Sequence, residues 1–174
     1  GHDYVPQVLS LEPALIIAEK TVEAGKIPVI YVKDASIALG IVASAFYGNP
    51  SAEMQLVGIT GTNGKTTTSR LTAHICKTAG YKVGFTTSDG VYIQNQMLMR
   101  GDCTGPVSSQ FVLKDPTVDF AVLECARGGI LKSGLAFQHC DVAVVTNVAA
   151  DHIGLGGINS VEQMAQVKAV VAET

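Results

Sequence analysis

The clearest chemical pattern in this chain is a glycine-rich run at residues 58–67, which ends in Gly64-Lys65-Thr66-Thr67. An apolar segment precedes the run, and apolar residues at helical spacing follow it, so the run joins a strand to a helix. Glycines in such a loop let backbone N–H groups point at a phosphate, and the helix start adds positive potential. Lys65 would place its charge beside the β- and γ-phosphates, and the Thr66 hydroxyl would ligate Mg²⁺. The run therefore predicts a binding site for a nucleoside triphosphate.

The loop departs at one position from the common pattern G-x-x-x-x-G-K-[ST]. The first glycine of that pattern would stand six residues before Lys65, where this chain has Ile59. A glycine-rich turn with a surface lysine is the alternative interpretation. Gly-Lys-Thr-Thr at the start of a helix, directly after a strand, favours the nucleotide site.

Two further candidates follow apolar segments that have the character of buried strands. Glu124 ends the segment at 120–123, where a carboxylate can take Mg²⁺ directly or through water. Its alternative is a surface glutamate at a strand end. His152 follows the segment at 142–145 and could donate to a phosphate or ligate a metal. A structural histidine is the better interpretation of that residue alone, and its interest comes from its combination with Lys65 and Glu124.

Two cationic residues complete the candidates. Lys168 lies at the edge of the apolar stripe of the last predicted helix, where a lysine with a buried stem and a solvated ammonium is the alternative. Arg127 stands three residues after Glu124 in a glycine-rich turn. It could hold a phosphate or a substrate carboxylate through two parallel hydrogen bonds, and a solvated arginine fits the pattern equally well.

The elements that position these residues alternate between strand and helix from residue 54 onward. Apolar strands are predicted at 82–86, 120–123 and 142–145, and a final helix begins near Ser160, which could form a capping box with Gln163. The fold class predicted is α/β, with a three-layer, P-loop-type, mostly parallel sheet and helices on both faces. Ligands bind beyond the carboxyl ends of such strands, so the candidates should converge there. The polar segment at 88–107 is a candidate substrate-contacting loop or hairpin.

The first fifty residues differ from this pattern. Short strands are expected at 14–17 and 29–32, followed by a helix at 36–46 that ends in a cluster of turn residues. We interpret residues 1–50 as the tail of a preceding domain with its connector, and residues 51–174 as the nucleotide-binding domain.

Composition restricts the partners. The net charge is −3, aromatic residues make up 6% of the chain and tryptophan is absent, so nucleic acid is not an expected partner. No apolar run reaches the roughly 18 residues of a membrane span, and a membrane is not an expected partner either. The four cysteines lack paired spacing, which indicates reduced thiols and a cytoplasmic location.

The motif at 60–67, Glu124, and Thr146-Asn147 followed by Asp151-His152 occur together in this order. In that combination the chain resembles the central ATPase domain of the Mur ligase family, which joins carboxylates to amines through an acyl phosphate. The resemblance implies ATP and Mg²⁺ as cofactors. It implies catalytic roles for Lys65, Glu124, His152 and Lys168, and metal ligation by Thr66, Glu124, His152 and Lys168. It implies nucleotide binding by Gly61, Thr62, Asn63, Gly64, Lys65, Thr66, Thr67 and Asn147. Lys168 matches the lysine that is often N-carboxylated in this family, which also lacks glycine at the Ile59 position.

Different parts of the chain resemble different branches of the family. Residues 1–66, with 1–7 and 45–51 as the matching segments, look like the UDP-MurNAc-tripeptide ligases of peptidoglycan synthesis. From about residue 81 the chain resembles cyanophycin synthetase, through 86–93, 101–106, 124–131 and 152–158. Where the muramyl ligases have a Ser-Ser pair, this chain has Ala126-Arg127.

The function implied is that of an ATP-dependent carboxylate–amine ligase similar to cyanophycin synthetase. A muramyl-peptide ligase is the alternative, and a non-catalytic nucleotide-binding module is the alternative from another class. The expected partners are ATP, a carboxylate-bearing peptide-like substrate, an amino acid and a missing C-terminal ligase domain, and a homo-oligomer is compatible with them. Because family members continue past the position of Thr174, the resemblance implies that residues 1–174 alone bind Mg-ATP weakly or not at all and do not ligate.

Overall fold

The computed structural model describes residues 2–151 and 153–174. The chain consists of two compact units, residues 1–49 and 50–174.

The first unit is a small parallel strand pair with helices. Its elements are a short 3₁₀ turn (His2–Tyr4), α1 (Val5–Leu9), β1 (Ile16–Ala18), β2 (Val29–Tyr31) and α2 (Ala35–Phe46). Strands β1 and β2 pair in parallel, and the carboxylate of Asp34 caps α2 by accepting the Ser36 and Ile37 N–H groups at 2.8 and 2.9 Å. Helix α2 begins one residue before the predicted start at 36, and β1 begins two residues after the predicted start at 14.

The second unit alternates strands with helices, as the sequence predicts. Its elements are α3 (Pro50–Glu53), β3 (Gln55–Thr60), α4 (Lys65–Thr78), β4 (Val83–Thr87), β5 (Gly90–Ile93), β6 (Gln96–Arg100), α5 (Pro106–Leu113), β7 (Phe120–Glu124), α6 (Arg127–Ser133), β8 (Val142–Val145) and α7 (Val161–Ala169). Within the described residues the sheet order is β6-β5-β4-β7-β3-β8. Strands β4, β7, β3 and β8 are parallel, whereas β5 and β6 form an antiparallel hairpin within the segment predicted as a loop or hairpin.

Helices cover both faces of this sheet. Successive side chains of the central strands point to opposite sides, so both faces are apolar and both need to be buried. On β3, Leu56 packs into a core that includes Val112 of α5, whereas Val57 packs into a second core that includes Ala73 of α4. The three-layer α/β fold is therefore confirmed. It places the carboxyl ends of the four parallel strands at one edge of the sheet.

Helix α7, which carries Lys168, is fixed by a cap at its start and by apolar side chains along its length. The Ser160 side chain accepts the Gln163 N–H at 3.2 Å, as predicted, but the Gln163 side chain accepts from Asn159 at 2.7 Å and not from Ser160. The Gln163 side chain thus accepts from the residue before the N-cap and not from the N-cap itself, as a standard capping box would require. Met164 and Val171 of the predicted stripe are buried in the core.

The cysteines and the helix lengths bear on two expectations from composition, the reduced thiols and the lack of a membrane span. The four cysteines are free thiols. Among the described residues, no helix combines the length and the apolar character that crossing a membrane requires.

Candidate nucleotide and metal site

The glycine-rich loop lies between the end of β3 and the start of α4, as the sequence predicts. Strand β3 continues through Ile59 to Thr60, and Ile59 is fully buried in the core beneath α4. An apolar side chain at that position therefore extends the strand, and the loop begins only at Gly61. Gly64, with φ +86°, is the residue from which α4 starts, and this backbone conformation favours glycine.

The backbone at Gly61 passes very close to the end of β8. A Cβ atom added there would lie 1.9 Å from Thr146 Oγ1 and 3.2 Å from the backbone N and O of Asn147. Gly61 also has a φ of +142°. Only glycine satisfies both conditions, so this residue lets the loop contact the segment after β8 directly.

That segment holds the loop through several hydrogen bonds. Thr146 Oγ1 donates to the Asn63 carbonyl at 2.7 Å, and Asn147 Nδ2 donates to the same oxygen at 2.9 Å. In return, Asn63 N–H donates to Asn147 Oδ1 at 3.1 Å, and Thr62 N–H donates to the Asn147 carbonyl at 2.9 Å. The loop shape is therefore fixed by residues that lie more than eighty positions away in the sequence.

Two ammonium groups reach the same backbone oxygen of the loop. Lys65 Nζ donates to the carbonyls of Gly61 and Thr62 at 3.1 and 3.0 Å. Lys168 Nζ, from α7, donates to the Gly61 carbonyl at 2.8 Å. Residues 65 and 168 thus bring two positive charges to one side of the loop, where a phosphate would be bound.

Lys168 is not the solvated lysine of the alternative interpretation. Its side chain is buried, with 3% of the residue exposed. Burial, followed by the nearby charges of Lys65 and Arg127, lowers the pKa of Lys168 to about 8, while Asp151 acts in the opposite direction. A larger share of neutral amine is therefore present near pH 8 than an ordinary lysine would have.

Glu124 and Thr66 form the second part of the site. Glu124 is buried, and its Oε2 accepts hydrogen bonds from Thr66 Oγ1 at 3.0 Å and from Ser88 N–H at 3.3 Å. The hydroxyls of Thr66 and Ser88 are 3.0 Å apart. Burial raises the pKa of Glu124, and the Thr66 hydrogen bond and the charge of Lys65 partly oppose this effect.

This donor set suits a hard divalent cation. A buried carboxylate flanked by hydroxyls offers the oxygen ligands that Mg²⁺ prefers, and a cation would offset the cost of burying the charge. Among the described residues, no group of three or more His, Cys, Asp and Glu side chains forms a complete metal site. A metal here would therefore need hydroxyl, water or phosphate oxygens in addition to Glu124.

The turn that carries Ser88 is held against α4 by a polar network. The Arg70 guanidinium bonds to the Asp89 carboxylate and donates to Tyr92 Oη at 3.0 Å, and Tyr92 Oη donates to Asp89 at 3.0 Å. The Tyr92 ring stacks on Phe85 with centroids 4.5 Å apart. This network fixes the turn between β4 and β5, and with it the position of Ser88 beside Glu124.

A cleft of about 720 Å³ opens beside the phosphate loop. Its walls are the loop itself, the segment at 102–105, the start of α6 and one face of α7. The charged residues that line it are Lys65, Arg127, Lys132 and Lys168, together with Asp102 and Asp151. The cleft therefore carries more positive than negative charge and suits an anionic ligand.

The structure thus brings most of the predicted candidates together. Lys65, Thr66, Glu124, Lys168 and Asn147 lie around the loop. Thr67 is exposed on the first turn of α4, and His152 lies outside the described residues. Sequence reasoning missed Ser88, although the rule that found Glu124 applies to it, because Ser88 also directly follows a parallel strand.

The sequence and the fold are similar to those of known proteins. Residues 59–173 match the model of the Mur ligase middle domain. The chain is 58% identical over 138 residues to cyanophycin synthetase of Crocosphaera subtropica, a match that covers 79% of this chain and 16% of the relative. It is 34% identical over 175 residues to UDP-N-acetylmuramoyl-L-alanyl-D-glutamate--2,6-diaminopimelate ligase of Listeria monocytogenes, which covers 98% of this chain and 35% of the relative.

Solved structures show the same fold. A structure of a UDP-N-acetylmuramoyl-L-alanyl-D-glutamate--2,6-diaminopimelate ligase superposes with a TM-score of 0.71 at 24% identity, covering 98% of this chain and 35% of that chain. FolC of E. coli in complex with ADP superposes with a TM-score of 0.60 at 28% identity, covering 79% of this chain and 39% of that chain.

The chain spans about one sixth of the length of the cyanophycin synthetases that it matches. The family model nevertheless covers most of these 174 residues, including the phosphate loop from Ile59 and α7. The chain therefore belongs to the family of Mur ligase middle domains.

Proposed function

We propose that the full-length protein is an ATP-dependent carboxylate–amine ligase of the cyanophycin synthetase type. The γ-phosphoryl group of ATP passes to a substrate carboxylate and forms an acyl phosphate. The amine of an amino acid then attacks the acyl carbon, and phosphate leaves as the amide forms. Because phosphoryl transfer depends mostly on positioning and charge stabilisation, the protein has to supply cations and fixed hydrogen-bond donors.

The observation that carries the proposal is the contact between Thr66 and Glu124 at the mouth of the phosphate loop, 3.0 Å in length. Such a pair is the usual means of holding the Mg²⁺ of a bound triphosphate, and the 58% identity to a cyanophycin synthetase favours ligation over simple hydrolysis. Further support comes from the ADP complex of FolC, a structural relative with 28% identity.

The residues of the loop have separate roles in this mechanism. The N–H groups around Gly64 and the Lys65 ammonium hold the phosphates and stabilise negative charge on the transferring group. Thr66, Glu124 and His152 would hold Mg²⁺, which would neutralise charge on the phosphate oxygens. Asn147 fixes the loop through its pair of bonds with Asn63.

Lys168 is proposed as a carbamate in the working enzyme. The neutral amine attacks the carbon of CO₂ and loses a proton to solvent, and the product is an anionic oxygen ligand in place of a cation. Its present bond to the Gly61 carbonyl places it beside the loop. A carbamate signal from ¹³C-bicarbonate in NMR spectra, present in the unaltered protein and absent from Lys168→Arg, would support this role.

The domain boundaries are part of the proposal. Residues 1–50 would be the tail and connector of a preceding Mur-type domain, and residues 51–174 the ATP-binding domain, which further residues of the full-length protein would complete. The division of the chain at residues 49 and 50 supports this boundary.

The test is ATP-dependent amide formation by the full-length protein. An aspartate–arginine polymer primer with an amino acid should consume ATP and release one phosphate for each amide formed. Lys65→Ala should lower the rate by at least a hundredfold, whereas Lys82→Ala, on the exposed connection before β4, should leave it unchanged. ATP hydrolysis that is independent of any acceptor would instead support a nucleotide-binding module.

The muramyl-peptide ligase remains the second candidate function. It is favoured by the 34% identity with the Listeria enzyme, which extends over almost the whole chain, including the first unit. The assay distinguishes the two, because a muramyl-peptide ligase consumes ATP with a UDP-MurNAc peptide and not with the polymer primer. The higher identity to cyanophycin synthetases, 58% against 34%, leads us to expect the polymer primer as substrate.

A further inference from the structure

The turn between β4 and β5 brings Ser88 into contact with two residues proposed to hold the metal, Thr66 and Glu124. Ser88 N–H donates to Glu124 Oε2 at 3.3 Å, and the Ser88 hydroxyl lies 3.0 Å from Thr66 Oγ1. Because Thr66 Oγ1 also donates to Glu124 Oε2 at 3.0 Å, the three residues form a closed set of contacts. A shift of the turn would therefore take a hydrogen-bond donor away from the carboxylate that would bind the cation.

Backbone bonds hold this turn against the segment that follows β6. The Thr87 carbonyl accepts the Cys103 N–H at 3.1 Å, and the Asp89 carbonyl accepts the Gly101 N–H at 3.1 Å. These bonds lie on either side of Ser88 in the sequence. They fix the turn relative to residues 101–103, but they do not join it to α4, the helix that carries Thr66.

The side chain of Arg70 joins the turn to α4. Arg70 Nη2 donates to the Asp89 carboxylate and, at 3.0 Å, to Tyr92 Oη. Tyr92 Oη donates to the same Asp89 oxygen at 3.0 Å, and the guanidinium lies 5.2 Å from the centre of the Tyr92 ring. That ring is stacked on Phe85 of β4. Arg70 therefore fixes the helix of the phosphate loop relative to the turn that carries Ser88.

Another side chain of α4 reaches the opposite end of the same hairpin. Lys77 lies two helical turns after Arg70, on the same face of α4, and its Nζ donates to Asn95 Oδ1 in the turn between β5 and β6. Asn95 follows β5, whereas Asp89 precedes it. Arg70 and Lys77 thus join the same helix to the same hairpin, and they differ in whether the turn that they bond is the one beside the metal site.

The contact between Arg70 and Asp89 contributes more to geometry than to stability. Each of the two side chains is 46% exposed, and ion pairs with this exposure stabilise a fold only slightly. A metal site is more sensitive than the fold as a whole. Loss of a residue that orients the metal ligands typically lowers metal affinity by roughly ten- to a hundredfold.

We infer that Arg70 is a positioning residue that raises the affinity of this site for the Mg²⁺ of the bound nucleotide. It acts through Asp89, which keeps Ser88 aligned with the Glu124 carboxylate. The inference rests on the metal role that the proposed function gives to Glu124, and it adds a determinant of metal affinity that lies outside the ligands themselves.

The experiment measures metal binding without ligation. The full-length protein with a non-hydrolysable ATP analogue is titrated with Mn²⁺, and free Mn²⁺ is measured by electron paramagnetic resonance. Glu124→Gln, titrated in parallel, identifies the part of the bound Mn²⁺ that belongs to this site. For that part, Arg70→Met should raise the apparent dissociation constant roughly tenfold, because a ligand is no longer oriented. Lys77→Met, the matched control, should leave it unchanged.

Further variants separate positioning from a general loosening of the hairpin. Tyr92→Phe keeps the ring that stacks on Phe85 and removes the hydroxyl that bonds to Arg70, so it should weaken Mn²⁺ binding less than Arg70→Met does. Arg70→Lys keeps the charge and should recover part of the affinity. Unchanged Mn²⁺ binding in Arg70→Met, or equal weakening by Arg70→Met and Lys77→Met, would overturn the inference.

Amide formation by the same proteins tests the proposed function separately. Arg70→Met should need more Mg²⁺ for its half-maximal rate and should approach the rate of the unaltered protein at saturating Mg²⁺. Weaker Mn²⁺ binding in Arg70→Met, with no amide formation by the unaltered protein, would support the inference and refute the ligase proposal. Amide formation by the unaltered protein, with Mn²⁺ binding unchanged in Arg70→Met, would support the ligase proposal and refute the inference.

Discussion

Replacing Gly61 by alanine should destabilise the chain far more than the same replacement at Gly101. The two glycines have similar backbone angles, with φ of +142° and +132°. They differ in what an added Cβ would contact, since at Gly61 it would lie 1.9 Å from Thr146 Oγ1, whereas nothing lies within 4 Å at Gly101. The pair therefore separates the cost of a close contact from the cost of backbone strain.

The magnitudes follow from these two terms. Backbone strain at a positive φ costs about 1–3 kcal/mol and should apply to both variants. The contact with Thr146 forces the end of β8 away from the loop, and an overpacked site of this kind costs roughly a further 1–3 kcal/mol. For a domain of this size, about 2 kcal/mol corresponds to a difference of roughly 4–8 °C in Tm between the variants.

Urea and thermal unfolding of Gly61→Ala and Gly101→Ala measure this difference. In a Thr146→Ala background, where the contacted hydroxyl is absent, the cost of Gly61→Ala should fall toward that of Gly101→Ala, and the contacts of the added Cβ with the Asn147 backbone at 3.2 Å account for what remains. Equal destabilisation by the two single variants would refute the reasoning. So would a Gly61→Ala cost that is unchanged in the Thr146→Ala background.

Three other residues give predictions that depend on pH. Burial raises the folded-state pKa of Glu124, so the charged carboxylate destabilises the folded chain once the pH exceeds the unfolded-state pKa. Glu124→Gln should therefore unfold at a higher temperature than the unaltered chain at pH 7, and this difference should disappear below about pH 4. The same substitution should abolish ligation by the full-length protein. Hydrogen bonds from Thr87, then Tyr92 and Arg70, lower the pKa of Asp89, so its contribution is present at neutral pH and lost as the pH falls through the folded value. Asp89→Asn should therefore lower Tm at pH 7 and have a progressively smaller effect in acid, and a Tm difference that does not vary with pH would contradict this. The pKa of Lys168 is lowered to about 8, so the unfolded chain binds more protons between pH 8 and roughly 10.4, and stability should rise with pH over that interval. Urea unfolding at pH 7.5 and 10 should show this rise in the unaltered chain and not in Lys168→Met.

Much of the fold could be predicted from the sequence because its signals are local. The run at 58–67 gives the loop and helix start through glycine and the Gly-Lys-Thr-Thr order, and the apolar run at 142–145 matches β8 residue for residue. Alternation of strand and helix gave the parallel sheet and its covered faces. Parallel strands also place their carboxyl ends together, which was sufficient to associate Glu124 with the phosphate loop before any distance was known.

The remaining contacts depended on tertiary structure, because they join residues that no local pattern connects. Lys168 bonds to the Gly61 carbonyl across 107 positions of sequence, and its helical period alone favoured a solvated side chain. Ser88 reaches Glu124 because β4 pairs with β7 in parallel and the turn after β4 is tied to α4 by Arg70 and Asp89.

The sequence by itself thus determined that a phosphate loop precedes a helix and that acidic and basic residues follow parallel strands. Only the tertiary structure decided which of these side chains are buried, which share a hydrogen-bond partner and which line the cleft. The physical reason is the range of the interactions. Backbone propensity and side-chain period act over a few residues, whereas desolvation and charge–charge contacts depend on how distant segments pack against one another.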